Sequence, residues 1–194
     1  MTTAIAPTVG RPRSAERDVA ILDAALAEYG ELGFDGMSIE GVAARAGASK
    51  ATVYRRYDSK LSLVAAALQH AGEQRPIHGT GSLERDLDVV LRHLVALTRD
   101  PVHGAGLRHL VADGLRNPEL GDVYAAFVRK RRATTQALLR EAMERGELRA
   151  DVDLDVATDA IGGPIFYRHL VTHLPIDEQL ITQVKAMFLA AFAR

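Results

Sequence analysis

The sequence predicts an all-α protein, and three observations carry that reading. Alanine, leucine and arginine dominate while aromatic residues make up 5% of 194 residues, a composition that favours helices over sheet. Apolar residues recur at three- and four-residue spacing, and no period-2 alternation is long enough for a strand. Capping residues, glycines and prolines then divide the chain into about nine helical segments.

The first segment, Arg17 to Leu32, aligns Leu22, Ala25, Leu26, Tyr29 and Leu32 on one face and should stop at Gly33. "FDGMS" supplies a turn whose Ser38 caps a second helix, Ile39 to Ala46. Gly47 ends that helix, and Ser49 caps a third running from Lys50 to Tyr57. Ser59 caps a fourth that reaches Glu73. Short helices bury little alone, so these must pack on one another.

Residues 74–82, "QRPIHGTGS", read as the linker that ends this first bundle. Leu83 to Arg99 is amphipathic, Pro101 to Arg116 less so, and Asn117 with Pro118 opens a long helix to about Arg145. Asp153 or Asp155 starts a helix toward His173, interrupted at Gly162, Gly163 and Pro164 because proline lacks an amide donor. Pro175 separates it from a last helix, Asp177 to Ala193.

Composition removes several function classes. The absence of cysteine excludes disulfides and thiolate zinc sites. No apolar run reaches the roughly 18 residues of a membrane span, and the N-terminal stretch lacks signal-peptide character. A cytoplasmic protein with no membrane partner is therefore expected. GxGxxG, GK[ST] and HExxH patterns are missing, so neither an enzyme nor a bound cofactor is expected. His169 and His173 could share a helix face but lack a third ligand nearby, so no metal site is expected.

The stretch that carries chemistry is "AGASKATVYRRYDSK", 46 to 60. Residues 1–75 hold nine basic and nine acidic side chains, yet residues 45–60 hold Arg45, Lys50, Arg55, Arg56 and Lys60 against Asp58 alone. Helical geometry of about 100° per residue turns Val53 inward and leaves Ala51, Thr52 and Arg55 on the outer face, flanked by Lys50, Tyr54 and Arg56. A short helix after a glycine turn, with small residues near its start and cations beside them, suits entry into a DNA major groove. Tyr54 and Tyr57 combine apolar bodies with hydroxyl tips that reach phosphate oxygens. Lys60 sits in the first turn of the next helix, where backbone N–H groups also favour an anion. "RKRR", 129–132, spans about 300° of its helix, forms no flat patch and reads as solvated side chains.

"GVAARAGASKATVYRRYDSKLSLV", 41 to 64, preceded by "ILDAALAEYGELGFDGMSIE", resembles the signature of the tetracycline-repressor (TetR) family of bacterial transcription regulators. Ala51 stands where many members have glycine, and Tyr57 where phenylalanine or tryptophan is usual. The resemblance implies a homodimer: a flexible arm over 1–14, a helix-turn-helix domain over 15–62, and an effector-binding and dimerisation domain over 63–194. Carried over by position, Ser38, Ser49, Lys50, Ala51, Thr52, Tyr54, Arg55, Arg56 and Lys60 form the DNA-facing set, with Arg11, Arg13 and Arg17 as further phosphate or minor-groove candidates.

"GGPIFYRHLVTHLPIDEQLI", 162 to 181, resembles the C-terminal region of a branch of these regulators common in high-GC Gram-positive bacteria. That implies a four-helix interface from the last two long helices of each subunit, with Ile165, His169, Val184, Met187, Phe188 and Ala191 as interface candidates. Tyr124, Phe127, Phe166 and Tyr167 are the candidate larger walls of an otherwise aliphatic effector cavity. The implied function is a repressor released from a near-palindromic double-stranded operator by a small-molecule effector. Two other readings stay open: a DNA-architectural protein without regulatory specificity, and a helical ligand-binding or catalytic protein whose helix-turn-helix is structural only.

Overall fold

The computed structural model describes residues 12–73 and 77–194. Residues 1–11 of the expected arm, Arg11 among them, and the linker residues 74–76 lie outside the described residues, as does the side chain of Arg13. The described residues form nine α-helices and one isolated bridge, Leu148 with Ala193. They are α1 (Pro12–Gly36), α2 (Ile39–Arg45), α3 (Lys50–Tyr54), α4 (Lys60–Glu73), α5 (Leu83–Arg99), α6 (Pro101–Arg116), α7 (Pro118–Glu144), α8 (Leu154–Tyr167) and α9 (Glu178–Phe192).

Local signals set most boundaries. α1 opens at Pro12, five residues before the expected start, and breaks at Gly33, whose φ of 69° favours glycine. The hydroxyls of Ser38 and Ser49 accept the Gly41 and Thr52 amides at 2.9 and 3.1 Å, capping α2 and α3. Ser59 does the same for Ser62 at 3.0 Å, and Asn117, Asp153 and Asp177 cap α7, α8 and α9.

Two expectations fail. α3 ends at Tyr54, not Tyr57, because the chain turns there and half-buried Tyr57 packs on the first core. α8 is not interrupted at Gly162–Gly163–Pro164 either; it runs through Pro164, and the irregularity emerges one turn later as a π-helical stretch, Arg168–Thr172. Neighbouring helices on both sides outweigh the one backbone bond that proline forgoes.

Two cores organise the helices. In the first, Ile21, Tyr29, Val42, Val53 and Leu63 meet Leu110 of α6 and Leu120 of α7. In the second, Leu87 and Leu91 of α5 meet Leu139, Ile161, Ile165 and Phe188. A boundary at 62/63 would cut α4, whose Leu63, Val64, Ala67 and Leu68 are buried in the first core. The first core therefore includes α4 and is completed by residues of α6 and α7.

Candidate nucleic-acid interface and helical-domain cavity

Gly47 makes the turn between α2 and α3 with φ of 61°, a left-handed conformation with no Cβ penalty for glycine. Val53 is fully buried and pins α3 to the bundle, so the opposite face of the helix is held outward. Ser49, Lys50, Ala51, Tyr54 and Arg55 are exposed there, and Thr52 is half-buried beside them. The Ser38 oxygen spends a lone pair on its cap, which leaves its O–H proton for a phosphate oxygen, while the Ser49 hydroxyl also meets the Thr52 hydroxyl at 2.9 Å.

The cations divide into two groups. Lys50 pairs with Glu40 and lies 5.7 Å from the Tyr54 ring centroid. The hydrogen bond to Glu40 raises the Lys50 pKa and lowers that of Glu40. Both groups are solvated, so a DNA phosphate can replace the carboxylate at little cost. Arg55 is exposed on the same side.

Arg56 and Lys60, also expected among the DNA-facing residues, make contacts within the bundle. Arg56 is bonded to Asp18 of α1 with its side chain only 19% exposed. Lys60 donates to the Met37 carbonyl at 3.2 Å and sits 4.5 Å from the Phe34 ring centroid. Both brace the reading helix, and a positional match could not show this because their partners lie on α1 and the turn after it.

A residue that sequence reasoning missed joins this bundle to the helical domain. Asp113 of α6 is 5% exposed and accepts the Tyr29 hydroxyl at 3.2 Å, the Phe34 amide at 3.0 Å and Arg116 at 2.7 Å. Burial opposes its ionisation, but the bonds from Phe34, Arg116 and Tyr29 outweigh burial and hold its carboxyl below the usual range. Burial and the adjacent carboxylate together push the Tyr29 hydroxyl well above the ordinary phenol range.

Between α5, α7 and α8 lies a cavity of about 290 Å³. Leu94, Leu97, Leu107 and Ile161 form its aliphatic walls, with Tyr124, Phe127 and Phe166 as the larger ones. Tyr167, expected to join them, is 59% exposed and faces away, because it follows Phe166 by one position around the helix. A second hollow of about 540 Å³ between α4 and α7 shares Ile77, Phe127 and Arg131 with the first. The basic run 129–132 is also not simply solvated. Arg131 and Arg132 are half-buried and line the cavity, with Arg131 touching His93 and Arg132 held by Asp155 and Asp159.

A family model described as bacterial regulatory proteins of the tetR family matches residues 21–67. Another, described as a tetracyclin repressor-like C-terminal domain, matches residues 77–187, more than half of the chain. The chain belongs to the TetR family. It is 34% identical over 176 residues to the uncharacterized HTH-type transcriptional regulator YdeS of Bacillus subtilis, covering 89% of this chain and 87% of that protein. The DNA-binding transcriptional repressor TetR of Mycobacteroides abscessus is 31% identical over 178 residues, covering 87% of this chain and 90% of that one. The crystal structure of the TetR family transcription regulator SCO0332 superposes with a TM-score of 0.74 at 30% identity, covering 90% of this chain and 97% of that chain. The protein is thus a TetR-family DNA-binding transcriptional regulator.

In this TetR-family regulator the expected interface residues separate by burial. Ile165, Val184 and Phe188 are at most 3% exposed and fill the protomer's own second core, so they offer no surface to another subunit. His169 is half-buried, its Nε2 3.0 Å from the Gly104 carbonyl. Met187, 51% exposed, and Ala191 remain on the outside of α9. On α8, Val156, Gly163 and Tyr167 are exposed at spacings of seven and four and share one side of the helix. Among the described residues no helix is long and apolar enough to cross a membrane. No group of three His, Cys, Asp or Glu side chains there could hold a metal.

Proposed function

We propose that this TetR-family regulator acts in the cytoplasm as a homodimeric repressor, without a catalytic role, and leaves its operator when a small molecule fills the cavity between α5, α7 and α8. Two copies of α3 enter successive major grooves of a near-palindromic site, about 34 to 36 Å apart. Ala51, Thr52 and Arg55 meet base edges, while Ser38, Ser49, Lys50 and Tyr54 hold phosphates. The apolar sides of α8 and α9 that carry Tyr167, Met187 and Ala191 meet their counterparts in the second subunit.

The observation that carries the release mechanism is the double engagement of α6. Its Leu107 forms part of the cavity wall, and its Asp113, six residues and about 9 Å further along the helix, grips α1 through Tyr29 and Phe34. A ligand that displaces Leu107 therefore shifts the helix on which α1, α2 and α3 are mounted. Such coupling is typically about 1 to 3 kcal/mol.

Footprinting on fragments that the protein retains from its own genome tests this reading. A repressor of this design protects two half-sites centred about 10 bp apart or a multiple of that. Equal retention of unrelated fragments at physiological salt would instead make it an architectural protein.

A further inference from the structure

We propose that the cavity between α5, α7 and α8 takes a small neutral compound that joins a ring-sized apolar body to one hydroxyl group, as a phenol does, and that the Thr135 hydroxyl anchors it. This rests on the effector reading above and adds the chemical class of the ligand. A helix offers threonine a ready partner, the carbonyl three or four residues earlier. Thr98, Thr134, Thr158 and Thr182 use it, bonding the carbonyls of Val95, Lys130, Leu154 and Glu178 at 2.6 to 3.5 Å. Thr135 departs from them. The residue is 8% exposed, yet no hydrogen bond of the described residues engages its hydroxyl. Among those residues, the buried side-chain atoms sealed from solvent without a partner are Asp86 Oδ2 and His103 Nδ1. Thr135 Oγ1 is therefore neither bonded nor sealed, and it opens onto the space beside it.

That space is the cavity. Tyr124, Val128, Arg131 and Thr135 follow one another at spacings of four, three and four along the face of α7 that lines it. A hollow of about 10 Å³ that Thr135 also borders holds one water at most. From α8, Thr158 lines the cavity too; it spends its proton on the Leu154 carbonyl but keeps lone pairs to accept a donor. Gly162, one turn further on, adds no side chain to the wall, and Leu94, Leu97, Ile161 and Phe166 make the rest apolar. The charged groups at the rim are engaged within the protein, Arg131 with His93 and Arg132 with Asp159. A ligand matched to this surface is uncharged and apolar over most of its body, with one polar group where Thr135 offers a partner. A hydroxyl fits that place because it accepts from Thr135 and still donates to a threonine lone pair. The volume, about 290 Å³, equals roughly ten waters' share of liquid, which suits a single substituted ring.

The test uses the full-length protein at pH 7, where a phenol is un-ionised, with 4-ethylphenol, with 4-ethyltoluene, in which a methyl replaces the hydroxyl, and with benzoate as a charged ring. Thermal unfolding and calorimetric titration read binding. 4-Ethylphenol is expected to raise the melting temperature. Thr135→Val, which keeps the shape and removes the hydroxyl, is expected to weaken 4-ethylphenol about tenfold without weakening 4-ethyltoluene. Thr135→Ser, which restores a hydroxyl, is expected to recover the phenol. Without ligand, Thr135→Val should unfold no earlier than the unaltered protein, because the hydroxyl it removes has no partner to lose; a lowered midpoint would show an internal structural role and overturn the proposal. So would 4-ethylphenol that fails to bind or binds the Val variant equally well, or benzoate that binds more tightly than the phenol. A compound of another class that fills the cavity and releases DNA would remove the phenol class while the effector reading stands. 4-Ethylphenol that binds through Thr135 without altering operator affinity would do the reverse.

Discussion

Replacing Asp113 by alanine removes the acceptor that ties α6 to α1. The Tyr29 hydroxyl, on a residue 1% exposed, and the part-buried Phe34 amide both lose their partner. A stranded buried donor costs about 1 to 3 kcal/mol, so Asp113→Ala is expected to cost about 2 to 5 kcal/mol. Arg116 adds little, because its side chain is 70% exposed. Tyr29→Phe removes one donor and leaves Asp113 its other two, for a loss of about 1 kcal/mol. Urea unfolding at pH 7 and fixed protomer concentration measures each variant and the double mutant. Because the two side chains share one hydrogen bond, their effects should fall short of additivity by about 1 kcal/mol. The pH dependence has a definite sign. The carboxyl of Asp113 titrates lower in the folded protein than its ordinary value of about 3.9, so its stabilisation is complete above that value and lost as pH falls through the lower folded value. A loss under about 1 kcal/mol, or strict additivity, would refute the latch.

Other substitutions separate positioning from contact. Val53→Ala, at a fully buried site, should cost about 1 to 3 kcal/mol in urea unfolding and weaken operator binding by releasing α3. Lys50→Ala should leave unfolding unchanged but reduce the slope of log K against log salt by about 0.9 for each subunit engaged, read by fluorescence anisotropy. Met187→Glu should weaken self-association in analytical ultracentrifugation with the protomer still folded. Phe188→Ala, 1% exposed in the protomer core, should cost about 3 to 5 kcal/mol as a lowered urea midpoint.

Local signals were legible in the sequence where short-range physics decides. Ser38, Ser49, Ser59 and Asn117 cap the helices they were expected to cap, and Gly33 and Gly47 turn where a left-handed residue is needed. Features that depend on distant partners were not. An apolar stripe shows that Val184 and Phe188 are covered, but not whether the cover is the same chain or a copy; it is the same chain. Arg131 and Arg132 looked solvated because a helical wheel of α7 cannot show that α5 and α8 close over part of it. Asp113 had no local signal at all, since its partners Tyr29 and Phe34 lie 84 and 79 residues away. Arg56 and Lys60 matched a DNA-contacting pattern by position, yet Asp18 and the Met37 carbonyl engage them within the bundle.

The central claim is that the outward face of α3 reads DNA, and Tyr54 and Arg55 test it most cleanly because both are exposed and no hydrogen bond or ion pair of the described residues holds either side chain. The decisive measurement is the affinity of Tyr54→Ala/Arg55→Ala, compared with the unaltered protein, for a genomic fragment that the latter retains and protects. The expected result is loss of specific binding, down to the level seen with random DNA, at an unchanged unfolding midpoint. Undiminished binding and the same footprint from the double variant would contradict it.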